Sequence, residues 1–183
     1  VAQEVTAYGT DLYGRPSLPE LLKDLDRIPG VRWLRLLYAH PSTWTDELTE
    51  CLRDLPRGCR YVDLPIQHVA PGVLRRMRRP GFARTRRLLE RLRERVPGVA
   101  VRTTLLTGSP GETQEDFEEL LAFVKSYRFD HLGVFAFSPE GGTAAARQPD
   151  PVPALVREER RVRLLSEQRK VSRGYFQVSE IID

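Results

Sequence analysis

RTTLLTGSPGETQEDFEELLAFV, Arg102 to Val124, is the stretch whose pattern decides the fold. An apolar run ends in a turn carrying two glycines, Gly108 and Gly111, and a helical pattern begins at about Gln114. Thr113 opens that helix with Asp116 three residues on, the spacing of a capping box. Strand, tight polar turn and helix in this order make one βα unit of a parallel sheet. Glycines at the turn let backbone N–H groups and the helix N-terminus come close to a ligand, and they serve a plain turn with a helix cap equally well. Glu112 complements the helix dipole while staying available to a bound cation or amine. The loop has neither the lysine of a phosphate-binding P-loop nor the glycine spacing of a dinucleotide fingerprint, which sets both ligand classes aside.

The same rhythm extends to both sides. Val1–Tyr8, Trp33–Ala39, Tyr61–Ile66, Val99–Leu106 and His131–Phe137 read as strands. Helical spacing covers LPELLKDLDRI (Leu18–Ile28), Thr45–Leu55, two pieces from Pro71 to Val96 broken at Pro80-Gly81, Gln114–Arg128, and a long charged segment from about Ala154 to Gly174. Five rounds of strand and helix predict an α/β fold with parallel strands and outer helices. The rounds could close a complete open sheet or form part of a (βα) barrel. VAQEVTAY reads as a strand already under way, which favours a partial, TIM-like barrel truncated at both ends. In either case the loops that follow the strands gather on one side, and they carry Gln3-Glu4, His40-Pro41, Gln67-His68, Thr107 to Glu112 and Phe137 to Glu140.

With 40% hydrophobic and 30% charged residues over 183 positions, the chain can bury the core of one globular domain. It has no long uncharged apolar run and no leader-like start, so a cytoplasmic protein without membrane attachment is expected. DLPIQH (Asp63–His68) ends a strand with an amide and an imidazole, suited to a ribose, an adenine edge or a carboxylate, or else to the loop's own backbone. His40, between Tyr38 and Pro41, reads as a turn residue. Ten arginines between Arg75 and Arg95 could face RNA or an acidic partner, but interspersed glutamates favour a solvated helix surface. No serine lies in a nucleophile-elbow context, and Cys51 and Cys59 have no metal-site spacing. No metal site is expected on this chain, and no residue stands out as catalytic.

Together, AQEVTAYG, DLPIQHVAPGVLRRMRRP, RTTLLTGSPGETQEDFEELLAFV and GVFAFSPEGGTAA resemble, in this order and spacing, the radical S-adenosylmethionine (SAM) methylthiotransferases. Asp63, His68 and Glu140 resemble the ribosomal-protein-modifying (RimO-type) branch more than the tRNA-modifying (MiaB-type) branch. Phe137, Thr107 and Ser109 depart from the Tyr, Val and Phe usual there. The resemblance implies the second part of a radical SAM barrel, with the long final helix leading to a TRAM domain. It implies SAM and two four-iron four-sulfur clusters in the whole enzyme. The reaction would abstract hydrogen from an aspartate β-carbon of a small-subunit ribosomal protein and install a methylthio group there. Gln3, Gln67, Gly108, Gly111, Glu112, Phe137 and Ser138 would line the SAM site, and His68 and Glu140 the substrate side. The family's CxxxCxxC loop is missing, so this chain by itself would be inactive. The competing readings are a tRNA methylthiotransferase and a non-catalytic binding module built on the same barrel fragment.

Overall fold

The computed structural model describes residues 4–149 and 151–179. They fall into two compact units, one formed by residues up to 65 with 83–102, the other by 66–82 with the residues from 103 onward.

In the first unit, helices α1 (Thr10–Tyr13), α2 (Leu18–Asp26) and α3 (Asp46–Asp54) precede strand β1 (Tyr61–Asp63). Thr45 starts α3 because its hydroxyl accepts the Leu48 N–H at 3.1 Å. The helix buries Leu48, Thr49, Cys51 and Leu52, and the Trp44 indole N–H donates to the Thr49 hydroxyl at 2.8 Å. Helix α4 (Pro71–Arg76) belongs to the second unit, and α5 (Phe82–Arg95) lies in the first apart from its opening residue. Four residues at helical spacing on α5, Thr85, Leu88, Leu89 and Leu92, form its buried stripe. The arginines point outward: Arg91 pairs with Asp46, Arg95 with Glu50 at 3.8 Å, and Arg86 with Glu90 at 3.0 Å. That is the solvated, ion-paired face, each pair worth at most about 1 kcal/mol.

Strand β1 runs parallel to the start of β2 (Ala100–Thr107), with Tyr61 opposite Ala100, Val62 opposite Val101 and Asp63 opposite Arg102. Strand β3 (His131–Ala136) completes a three-stranded sheet in the order β1-β2-β3. Along β2, Val101, Thr103, Leu105 and Thr107 are buried, Arg102 is exposed, and Thr104 and Leu106 are half-buried. The alternation covers one face and leaves the other more open.

The second unit packs α6 (Gln114–Tyr127) and α7 (Ala154–Ser179) against each other, and α7 against β3. Both halves of the capping box form: the Thr113 hydroxyl accepts the Asp116 N–H, and the Asp116 carboxylate accepts the Thr113 N–H, each at 3.1 Å. Phe117, Leu120 and Val124 of α6, Phe129 and Leu164 are fully buried, each such side chain contributing roughly 1.5–3 kcal/mol. The Gln168 amide donates to the Phe129 carbonyl at 2.8 Å and ties α7 to the turn before β3.

Three expected strands differ. Residues 1–3 of the first lie outside the described residues, and Val5–Ala7 is a 3-10 turn. Its amides are satisfied locally, with the Glu4 carboxylate accepting the Thr6 N–H at 2.9 Å, rather than by a neighbouring strand. Trp33–Ala39 forms a single parallel bridge, Leu34 to Gly58, and one further bond, Ala39 N–H to the Asp63 carbonyl at 2.9 Å. Tyr38, at φ +57°, turns the chain out of the β region and ends any ladder there. The third strand's ladder ends at Asp63, with the Leu64 N–H still donating to the Arg102 carbonyl at 2.9 Å; Gln67, at φ +67°, resumes the pairing as an isolated bridge to Leu105, one residue out of the earlier register, as at a bulge. No helix of the described residues is long and apolar enough to cross a membrane.

Candidate functional site

The turn after β2 is held by side chains from inside the second unit. Gly108 and Gly111 take φ +73° and +71°, the left-handed region that glycine enters without strain. Glu112, only 4% exposed, folds back so that one carboxylate oxygen accepts the Gly108 N–H at 2.7 Å. Arg160 of α7 donates to the other carboxylate oxygen at 2.6 Å, to the Glu112 carbonyl at 3.2 Å and to the Gln114 side chain at 3.3 Å. His68 is fully buried. Its Nδ1 accepts the Ala70 N–H at 3.0 Å, so the neutral ring carries its proton on Nε2, which lies 3.6 Å from the Glu112 carboxylate.

Burial dominates the electrostatics. It lowers the His68 pKa to about 4, with Arg160 and Arg76 also disfavouring the imidazolium and Asp116 opposing them. It raises the Glu112 pKa, against the pull of Arg160 and of the Gly108 and Ser109 N–H groups. Near neutrality the imidazole is therefore neutral, and it lies beside a Glu112 carboxyl group that is held by the Arg160 guanidinium.

The glycines make room for arginines. A Cβ on Gly108 would collide with the aliphatic stem of Arg157, and one on Gly111 would meet the Arg76 guanidinium at 3.2 Å. Arg157 donates to the Phe137 carbonyl and its guanidinium carbon sits 6.0 Å from the centre of the Phe137 ring. Arg76 donates to the Gly111 carbonyl at 2.6 Å. The close approach expected at Gly108 is thus made by α7, and its N–H is engaged by Glu112.

Of the residues singled out from sequence, His68, Gly108, Gly111, Glu112 and Phe137 share this environment; the Phe137 N–H donates to the Thr107 carbonyl at 2.8 Å. Gln67 is half-buried at φ +67°, its backbone bonded to Thr104 and Leu106. Ser138 and Glu140 are exposed, and the Glu140 carbonyl accepts from Thr143 in a turn. Gln3 lies outside the described residues. His40 is a turn residue, its Nδ1 2.7 Å from the Ser42 hydroxyl. Sequence reasoning missed Arg76, Arg157 and Arg160; the last two are three residues apart on one helix face, a spacing hidden among the other charges of α7.

Residues 3–124 match the radical SAM superfamily. The chain belongs to this superfamily. It is 48% identical over 173 residues, 94% of the chain and 39% of the relative, to the ribosomal protein uS12 methylthiotransferase RimO of Citrifermentans bemidjiense. It is 50% identical over 175 residues, 95% of the chain and 40% of the relative, to the protein of that name in Moorella thermoacetica. The chain thus spans about two fifths of the length of these curated relatives. The radical SAM fold is also seen in the likeness to coproporphyrinogen III oxidase (HemN) from Escherichia coli, with TM-score 0.60 and 20% identity over 82% of this chain and 34% of that one. The radical SAM methyltransferase TsrM from Kitasatospora setae gives 0.55 and 23% over 72% and 26%.

An iron–sulfur cluster does not fit the thiols described: a cubane needs several converging thiolates. Cys51 is buried in α3 with its thiol pKa raised by burial, Cys59 lies apart from it, and no group of three His, Cys, Asp or Glu among the described residues could hold a metal. At the loop, the buried Ser109 hydroxyl and His68 Nε2 have no hydrogen-bond partner.

Proposed function

We propose that this chain is the C-terminal portion of the radical SAM core of a methylthiotransferase that places a methylthio group on the β-carbon of an aspartate in ribosomal protein uS12. The observation that carries the reading is 48–50% identity across 94–95% of the chain to proteins bearing that name. Asp63, His68 and Glu140 support the same branch. Within the longer protein, α7 leads toward a TRAM domain, and the ligands of two four-iron four-sulfur clusters come from other segments. The protein works in the cytoplasm, with the ribosomal protein as partner and contact with the ribosome itself.

SAM is held by Gln3, Gln67, the backbone of Gly108 to Gly111 with Glu112 behind it, and Phe137 and Ser138. When bound, it supplies hydrogen abstraction and the transferred methyl group. The chain's own residues bind, orient and exclude water. Glu140, exposed, faces the substrate, whereas the burial of His68 makes it a support of the loop rather than a surface contact. The test is to offer the reconstituted full-length protein a uS12 loop peptide and an unmodified tRNA anticodon stem. Mass spectrometry should show methylthiolation of the peptide. Modification of the tRNA alone would overturn the choice of substrate.

A further inference from the structure

Two residues of α7, Arg160 and Arg157, reach the turn after β2 by different routes. Arg160 is 95% buried, as its 5% exposure shows, and it is committed to Glu112 and Gln114 by three hydrogen bonds. The Glu112 carboxylate it grips is the group that accepts the Gly108 N–H on its other oxygen. One guanidinium therefore fixes the acid that fixes the glycine. Arg157 fills the space over Gly108, and its guanidinium closes on the carbonyl of Phe137, where β3 ends. The Thr107 hydroxyl reaches the Arg157 carbonyl at 3.3 Å, so the backbone of α7 is pinned to the end of β2 as well.

The arrangement is costly unless it has a purpose in shape. A buried arginine–glutamate pair replaces hydration with contacts that offset the desolvation only when geometry is good, and breaking one partner leaves a bare buried charge. Here the Nε atoms of both Arg157 and Arg160 are buried without a hydrogen-bond partner, so neither arginine is fully satisfied. What the pair does achieve is a single conformation for a loop whose two glycines would otherwise give it many.

We propose that Arg160, acting through Glu112, is a positioning residue that holds the Gly108 to Glu112 loop in its SAM-binding conformation, with Arg157 bracing the loop's glycine against the end of β3. This rests on the reading of that loop as part of the SAM site. It adds that the site is organised from the final helix, so that a change in α7 that touches no ligand alters SAM binding.

The experiment uses the full-length protein with Arg160→Met, Arg160→Lys, Glu112→Gln and, as a surface control, Arg163→Met, whose partner Glu118 is half-exposed. Three readouts are taken: SAM affinity by calorimetry, hydrogen exchange of the peptide carrying Gly108, and the titration of His68 by NMR. Arg160→Met should weaken SAM binding by at least about tenfold and speed exchange at the loop by about a hundredfold. Lysine should recover part of both, because it keeps the charge but loses the forked contacts to Glu112 and Gln114. His68 faces Glu112 and Asp116, which favour its protonation, and Arg160 and Arg76, which oppose it. Removing Arg160 should therefore move its titration upward; loosened burial would move it the same way, so the discriminating comparison is Arg160→Lys, which keeps the opposing charge and should hold the His68 titration nearer its wild-type position. Should the methionine variant not fold, Glu112→Gln breaks the same link and should show the same fast exchange.

Unchanged exchange and unchanged SAM affinity in Arg160→Met and Glu112→Gln would overturn the positioning role. Failure of the wild-type protein to bind SAM would instead overturn the reading beneath it, with loop exchange and the His68 titration still showing whether Arg160 orders the turn.

Discussion

His68 shows how much one buried ring can govern. Its folded pKa of about 4 lies below the ordinary 6.5, so the folded state resists taking up a proton that the unfolded chain accepts. The stability this represents is fully present above pH 6.5 and is lost as pH falls through 4; across that window it amounts to about 3 kcal/mol. Glu112 works in the opposite sense, its raised pKa favouring the folded state as acid is added, so the two must be separated. His68→Asn keeps an acceptor for the Ala70 N–H and removes the titration. Denaturant melts between pH 7 and 4.5 should therefore show a flatter loss of stability in the variant; identical slopes would mean that His68 is protonated without penalty. At Gly108 the cost is steric and conformational together, because φ is +73° and Arg157 occupies the Cβ position. Gly108→Val should destabilise by about 2–4 kcal/mol, and Arg157→Ala should relieve part of it, leaving the backbone strain of about 1–2 kcal/mol. Additive losses in the double variant would show that the two do not meet.

At the scale of elements, the helices and the strands β2 and β3 were legible in the sequence, β1 only in part, and the first two expected strands were not. Thr113 and Asp116 announce the start of α6, and the reciprocal hydrogen bonds form as the spacing requires. Thr113→Ala should lower thermal stability by about 1 kcal/mol, and Thr113→Ser should retain most of it. An apolar run, by contrast, says only that a segment is buried. WLRLLYA has the composition of a strand, yet its backbone ladder depends on Tyr38 leaving the β region and on which amides β1 leaves open, neither of which is local information. DLPIQH gives no local sign of its break: after Asp63 the pairing slips by one residue, and Gln67 resumes it in a left-handed conformation. The site divides in the same way. The loop Gly108–Glu112 was readable from its glycines, but its partners Arg157 and Arg160 lie some fifty residues on, as their hydrogen-bonded separations of 50 and 48 positions show, and only the packing of α7 selects them from that helix's other arginines.

At the scale of the whole chain, the question is what a stretch covering about two fifths of its relatives' length can do by itself. It carries the loop, its supporting arginines and the end of β3, yet its described residues contain no cluster of metal ligands. Cys51 is buried, and its thiol is pushed away from the thiolate that a cluster requires. Anaerobic incubation of the chain with iron and sulfide should therefore leave it colourless. Stoichiometric iron with a broad absorption in the visible blue would show that the two cysteines suffice. SAM binding by the chain follows from the same division. Hydrogen bonds worth about 1 kcal/mol each and a modest apolar contact remain, against an association cost of at least about 4 kcal/mol, which leaves millimolar affinity or weaker. Calorimetry on the chain should thus detect no saturable SAM binding at micromolar concentrations, while the full-length reconstituted protein should bind. A micromolar Kd for the chain alone would mean that the loop and its neighbours form a complete nucleoside site without a metal anchor, and the division of the pocket between segments would have to be abandoned.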